Sequence, residues 1–495
     1  MKKQAMSLAV TAALLGGAVS ATGQSMYINE GGLGEVLVYP FYSSSGGNDT
    51  YVQVVNTTNF TKAVKVRFIE AQNSDEVLDF NLYLSPQDEW AAVVTTNPLL
   101  GGPAIVRTVD NSCTVPELGT QGGTKKTLAN GDIVRDQPFS TALFTGDTDT
   151  SNERTTEGYI EIIEMGQLDP TFGFGADAVH LGALVVAPGV PFTPVNCPAL
   201  VAAWNPAPAG AWVTNPSFQL LDTWQGGGLY GYTVLINVDE GTAVGVDAVA
   251  VDQFAAVGTA GTVDPGLHTY PGNLLPQLTS GTNASTIFDN GISTNFTFNA
   301  AGPNGGRDAF SSLFMTDGIV NDYVIDPDID ALTDWVITMP TKSEYDGASP
   351  FTTAWNFTNA CEPVTLELWD REEAPETPIT EGPVFSPAPP APPGPPGFNI
   401  CTEVSVVTFG PGSAIEASSK IRYGLPNVEF TEGWASLQLF QGVANEIVSD
   451  NGTLTGLPAT GFAVFEYTNN FLDGGTVKAN YEAAVEHKEL EIIFP

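Results

Sequence analysis

Basic side chains are scarce. Against 56 Asp and Glu the 495-residue chain sets only 17 Lys and Arg, for a formal net charge of −39. Phosphate backbones are gripped by clustered Lys and Arg that displace counterions, and no cluster here exceeds a pair such as Lys125-Lys126, so nucleic acid is not expected as a partner. Long apolar runs are missing too. The longest, Ala5 to Val19, is shorter than the roughly 20 residues of a membrane-spanning helix. Histidine is limited to His180, His268 and His487, with no His-x-x-x-His and no Cys-x-x-Cys, which removes the usual Cys/His metal sites. Gly-x-Ser-x-Gly, His-Glu-x-x-His, Gly-x-x-x-x-Gly-Lys-Ser/Thr and a helix-opening Gly-x-Gly-x-x-Gly are all absent, so hydrolase and nucleotide chemistries lose their entry points. A Ser/His/Asp triad converges in space rather than in sequence. Yet His180 and His487 sit beside apolar residues, where a hydrogen-bonded structural histidine is expected.

What remains is a folded, acidic chain. Hydrophobic residues make up 42% and charged residues 15%, too apolar for a disordered polyanion. At this length one core is usually outgrown, so more than one domain is expected. Lys2 and Lys3 precede the N-terminal apolar run, and Val19-Ser20-Ala21 is a small-residue cleavage pattern, so residues 1–21 read as a secretory signal peptide. The four cysteines fit an oxidising destination as disulfides. Sequence proximity favours pairing Cys113 with Cys197 and Cys361 with Cys401.

From Glu35 onward the sequence is short β-branched and aromatic runs cut by Gly, Asn, Asp and Pro. Val36-Leu37-Val38-Tyr39, Tyr51 to Val55, Ala63 to Ile69 and Val77 to Leu84 follow period two, the strand signature. In Ala63 to Ile69 apolar residues alternate with basic ones. Strand, Asn or Asp turn, strand recurs at Tyr232 to Val251 and Thr353 to Trp369, as hairpins of any origin would. Closely spaced strands with turn chemistry between them suggest antiparallel sandwiches. An outer-membrane barrel shares the alternation, but 36 prolines and a terminal Pro495 argue against it. Residues 374–399, including Ala388 to Gly397, are too Pro-rich for a sheet interior and read as an extended loop. Leu457-Pro458-Ala459-Thr460-Gly461 matches a wall-sorting pentapeptide, but the residues after it are acidic and strand-like.

Gly31 to Glu35 with Tyr39 to Tyr42, Val54 to Thr58 continuing through Lys62 to Phe68, and Leu78 to Ser85 resemble a group of exported proteins of Gram-negative bacteria. Trp335 to Thr341 and Gly461 to His487 are similar to later parts of the same group. The resemblance implies an exported β-rich protein and brings no activity or site residues.

Two candidate sites stand out. Trp204, Trp212, Trp224, Tyr230 and Tyr232, with Asp222 nearby, lie in the Gly/Pro/aromatic segment 204–232, where aromatic faces suit a sugar and a carboxylate pair would suit its cleavage. Asp147 and Asp149, and Asp326, Asp328 and Asp330, place oxygen donors on alternate residues, which suits calcium. The EF-hand pattern fails in both runs, so such calcium would be structural.

The expectation is an all-β chain of two or more antiparallel β-sandwich units, Ig-like or jelly-roll-like, with long loops. Residues 22–345 form the N-terminal region, of one or two units, and 346–495 the C-terminal region. The expected role is that of an exported structural or interaction protein, at the cell surface, outside the cell or in the periplasm. Self-association, a surface glycan and divalent cations are its candidate partners. The alternative is a glycan-binding or glycan-cleaving protein using 204–232. No residue is assigned as catalytic, and no cofactor beyond structural calcium is expected.

Overall fold

The computed structural model describes residues 24–490 apart from 99–100, 146, 148, 170–196, 222–225, 256–266, 290, 348, 357–359, 373–397, 427, 443 and 470–478. The signal peptide, His180, Asp222, Trp224 and all but the end of the Pro-rich segment lie outside the described residues.

The N-terminal sandwich uses β1 (Tyr27–Ile28), β2 (Val36–Ser43), β3 (Asn48–Asn56), β4 (Lys62–Glu70), β5 (Glu76–Leu84), β6 (Glu89–Thr95), β7 (Ile105–Thr108), β8 (Cys113–Val115), β9 (Thr124–Thr127), β10 (Ile133–Pro138), β11 (Glu157–Gln167), β12 (Leu229–Asn237), β13 (Thr242–Asp247) and β14 (Val249–Asp252). Its outer sheet runs β13-β12-β3-β6-β7-β10-β9 and its inner sheet β1-β14-β2-β11-β4-β5-β8. A hairpin, β15 (Ala284–Asp289) with β16 (Ile292–Thr297), and the helix Gly305–Ser312 lead into the second sandwich. That unit uses β17 (Met315–Thr316), β18 (Gly318–Val324), β19 (Ala331–Thr338), β20 (Glu362–Trp369), β21 (Phe398–Ile400), β22 (Val404–Phe409), β23 (Arg422–Leu425), β24 (Glu432–Gln438), β25 (Glu446–Val448), β26 (Thr453–Thr455), β27 (Leu457–Pro458), β28 (Thr460–Tyr467), β29 (Tyr481–Glu486) and β30 (Lys488–Glu489). Its inner sheet is β23-β22-β19-β28-β29 and its outer sheet β21-β20-β24-β18-β30. The fold is all-β, with open sheets stacked in pairs. The pairings between named strands are antiparallel except β22 with β23, and an isolated bridge between Met26 and Ser285 is also parallel.

Strand pairing joins residues on both sides of position 345. β19 pairs with β22 and β28, and β18 with β24, so the second sandwich begins near Met315. The polar stretch from Pro340 is a turn inside it. A Pro-rich turn marks a change of direction, whereas a domain boundary is set by strand partners far away in sequence.

Three cores hold the block together. Leu37, Val52, Val66, Trp90 and Ile160 fill the N-terminal sandwich, and Trp335, Ile337, Val407, Phe409 and Leu437 the C-terminal one. The third core is the seam between the inner sheets, where Val36, Val38, Ile69 and Ile163 meet Val336, Val406, Phe462 and Val464. The inner sheets are therefore covered on both faces, and β2, β4 and β11 are buried along their whole lengths. In the outer sheet, by contrast, β12 alternates buried with more exposed residues, as a one-sided strand does. Polar contacts pin the seam: Thr338 Oγ1 donates to Pro40 O at 2.6 Å, Asn48 Nδ2 to Ile415 O at 2.7 Å, and Glu403 N to Ala71 O at 3.1 Å.

Both disulfides are the pairs closest in sequence, Cys113–Cys197 and Cys361–Cys401. Closing 84 and 40 residues restricts the unfolded chain by about 4.5 and 4 kcal/mol in the chain-entropy model. Replacing Cys113 and Cys197 together by Ser should lower the unfolding free energy by about 3–4 kcal/mol in urea denaturation; a loss under about 1 kcal/mol contradicts this. Among the described residues no helix is long and apolar enough to cross a membrane.

Candidate functional site

The aromatic segment divides into two environments. Trp204 and Trp212 are 3% and 0% exposed. They lie in a satellite core with Ala63, Tyr83 and Leu200, beside the helix Cys197–Ala203 that the first disulfide ties to β8. Trp204 Nε1 donates to Tyr83 Oη and Trp212 Nε1 to Phe218 O, each at 2.8 Å. Tyr83 stacks on Trp212 at 5.4 Å between centroids. His268 Nδ1 donates to Pro216 O at 2.7 Å, leaving Nε2 to accept from Tyr83 Oη at 3.1 Å. Burial lowers the His268 pKa to about 4, so the ring is neutral and bound up in packing.

Trp204 and Trp212 therefore face the interior, with their indole N–H groups already engaged. Tyr230 is exposed and Tyr232 half-buried on the outer face of β12, Tyr232 6.2 Å from Tyr51. Trp212→Ala should therefore cost about 3–5 kcal/mol of stability. In chemical denaturation, a loss below about 1 kcal/mol would place that indole outside the core.

The alternate-Asp runs are also otherwise engaged. Asp147 Oδ2 is 2.5 Å from Arg154 Nη1, and Asp149 Oδ2 is 2.6 Å from Lys420 Nζ across the seam. Asp326 accepts from Asp328 N at 2.9 Å as a turn cap, and Asp330 closes that turn in the left-handed region at φ 45°. The runs belong to different sandwiches. Among the described residues no group of three His, Cys, Asp or Glu is placed to hold a metal.

The unexpected chemistry lies on β4. Its basic residues, which alternation alone would put in water, are buried and paired. Lys62 Nζ meets Glu164 Oε1 at 2.5 Å, and Lys65 Nζ meets Asp79 Oδ2 at 3.0 Å. Arg67 bridges Glu76 and Glu161 at 2.6 Å each, and Arg154 binds Glu70 at 2.6 Å and Asp75 at 3.0 Å. Burial pushes the Glu161 and Glu164 carboxyls up, while Arg67 and Lys62 pull them back. Glu35, buried beside Glu164, accepts from Ala255 N at 2.6 Å. Desolvation and the Glu164 charge raise its pKa to about 8. Gly226 closes over it so tightly that a Cβ there would lie 2.0 Å from Glu35 Oε1.

Two more buried carboxyls face the seam. Glu157 accepts from Ser418 N at 2.8 Å, and burial raises its pKa to about 7. Glu403 Oε1 accepts from Ser343 N and Oγ at 3.3 Å, while Oε2 has no hydrogen-bond partner. Desolvation first, then Glu161 and Glu344, raise the Glu403 pKa to about 8. These groups brace the interior.

One cleft of about 340 Å³ opens where the sandwiches meet, floored by Pro40, Ala250, Phe314 and Ile319 and edged by the exposed Glu30, Asp247 and Glu486. His487 lies in its wall but is engaged. Its Nε2 donates to Val336 O at 3.0 Å and its Nδ1 faces Asn321 Nδ2 at 3.2 Å, and burial lowers its pKa to about 4. It ties the C-terminal strands to β18 and β19 rather than moving protons. Surface aromatics that sequence reasoning passed over are Trp369 and Trp434, which stack across β20 and β24. Only register reveals them, since 65 residues separate them in sequence. No protein-family model matches the chain, and no curated protein or solved structure matches it either.

Proposed function

We propose that this chain is an exported structural or interaction protein, in which two sandwiches act as one rigid block at the cell surface or outside the cell. The observation that carries the reading is the seam. A shared apolar core, buried ion pairs on the double-covered sheet and cross-seam hydrogen bonds lock the two units together. Enzymes place titratable groups where substrate can reach them; here Glu35, Glu157 and Glu403 and both described histidines, His268 and His487, are engaged in packing. The two disulfides support an oxidising compartment. The excess of acid keeps copies soluble and apart at low ionic strength.

Expressed with its own N-terminus in a Gram-negative bacterium, the protein should be recovered outside the cytoplasm. It should begin at Thr22 and have all four cysteines oxidised. Recovery from the cytoplasm with residues 1–21 attached and thiols free overturns the reading.

A further inference from the structure

The outer face of the C-terminal sandwich carries an exposed pair of tryptophans. Trp369 of β20 lies opposite Trp434 of β24 in register, with ring centroids 4.0 Å apart and planes 11° from parallel. Trp434 is 40% exposed and Trp369 is half-buried. Side chains alternate between the two faces of a strand. Because Leu368, Ala435, Leu437 and Tyr323 pack into the core, Trp369, Trp434 and their period-two neighbours face away from it.

The rows beside the pair are polar and carry both signs. Asp322 of β18 lies directly opposite Trp434, Glu367 opposite Ser436, and Lys488 of β30 opposite Val320, two residues from Asp322. Asp322, Glu367 and Lys488 form no ion pair among the described residues. Arg371, two residues along from Trp369, is already closed on Glu432 at 2.7 Å. From β20 to β30 the face crosses four strands, about 14 Å.

A cross-strand indole stack steadies a sheet by about 0.5–1.5 kcal/mol, and that accounts for the pairing. It does not account for leaving an indole in water, which forgoes about 25 cal/mol for every Å². The surroundings indicate what covers it. In a chain of net charge −39, this face offers acceptors on Asp322 and Glu367 and a donor on Lys488, while the Gln438 side chain already donates to Ser436 Oγ at 2.8 Å. A strongly charged ligand is poorly matched to that mixture. An uncharged polyol is well matched, because its C–H face packs on the indole while its hydroxyls both donate and accept.

We propose that the Trp369–Trp434 face binds a neutral polysaccharide of equatorially substituted pyranose units. This deepens the reading of the chain as an interaction protein by naming the partner's chemistry. The test uses the purified mature chain, titrated calorimetrically with cellohexaose and with chitohexaose. At least one should bind, and Trp434→Ala and Trp369→Ala should each weaken binding at least about tenfold. Lys488→Ala, a surface change that leaves the stack intact, should weaken it about three- to tenfold, which keeps the test decisive if a tryptophan variant misfolds. No binding of either sugar, or binding unchanged in all three variants, overturns the proposal. Either result leaves the N-terminus and cysteine state of the exported chain untouched, so the two readings fail separately.

Discussion

Replacing Arg67 by Met is expected to destabilise the protein by about 3–5 kcal/mol at pH 7, because it leaves two carboxylates buried without their cation. Arg67 is 6% exposed and holds Glu76 and Glu161, each at 2.6 Å. Glu161 also accepts from Tyr159 at 3.2 Å, and Tyr159 reaches Pro340 O across the seam at 3.3 Å. The loss therefore travels beyond one side chain. Adding Glu161→Gln to the Met variant should recover part of it, since the second substitution removes one stranded charge. Urea denaturation of wild type, single and double variants measures both steps. A single-variant loss under about 1 kcal/mol, or a double variant less stable than the single, contradicts the paired-charge account.

Raising the pH from 5 to 9 should weaken the folded state, against the habit of most acidic proteins. Glu35 and Glu403 titrate at about 8 and Glu157 at about 7 in the fold, whereas an unfolded Glu titrates near 4.3. A folded pKa above the unfolded one means the contribution is fully present below about 4.5. It is lost as the pH climbs to the folded value. At about 1.36 kcal/mol per pH unit and per group, three such groups remove several kcal/mol by pH 8.5, a large share of ordinary stability.

After desolvation, part of each shift is repulsion already included in it, from Glu161 and Glu344 on Glu403 and from Glu164 and Asp252 on Glu35, where Lys62 pulls the other way. The low-pKa groups act at the other end. Asp149, held near 2 by its lysine and serine hydrogen bonds despite partial desolvation, loses its contribution only as the pH falls below about 4. Melting temperatures across pH 5–9 should fall steadily toward the alkaline end. A flat or rising profile contradicts the assignment, and Glu403→Gln should flatten the slope.

Strand identity was legible because period two and turn residues are local. The outer strand β12 shows this in its alternating burial. The second cover on β4 was not legible. Lys65 and Arg67 look solvent-facing beside Val64 and Val66, but β5 and β11 supply the acids that pair them, and the loop at Tyr270–Asn273 also closes on Lys65. Composition points to one group of tryptophans and register to another, for a related reason. Trp204 and Trp212 cluster in sequence because they fold into one small core, whereas Trp369 and Trp434 meet through register across strands. Cysteine pairing was easier, since loop closure favours neighbours and both bridges follow it. Domain limits are harder to read, because chain direction, not partner choice, is written in prolines.

The central claim is that the two sandwiches are one structural unit. Scanning calorimetry of the mature, oxidised chain at pH 6 tests it most directly. One cooperative transition, with calorimetric and van't Hoff enthalpies in agreement, is the expected result. Two separate transitions, each sized for one sandwich, would contradict it.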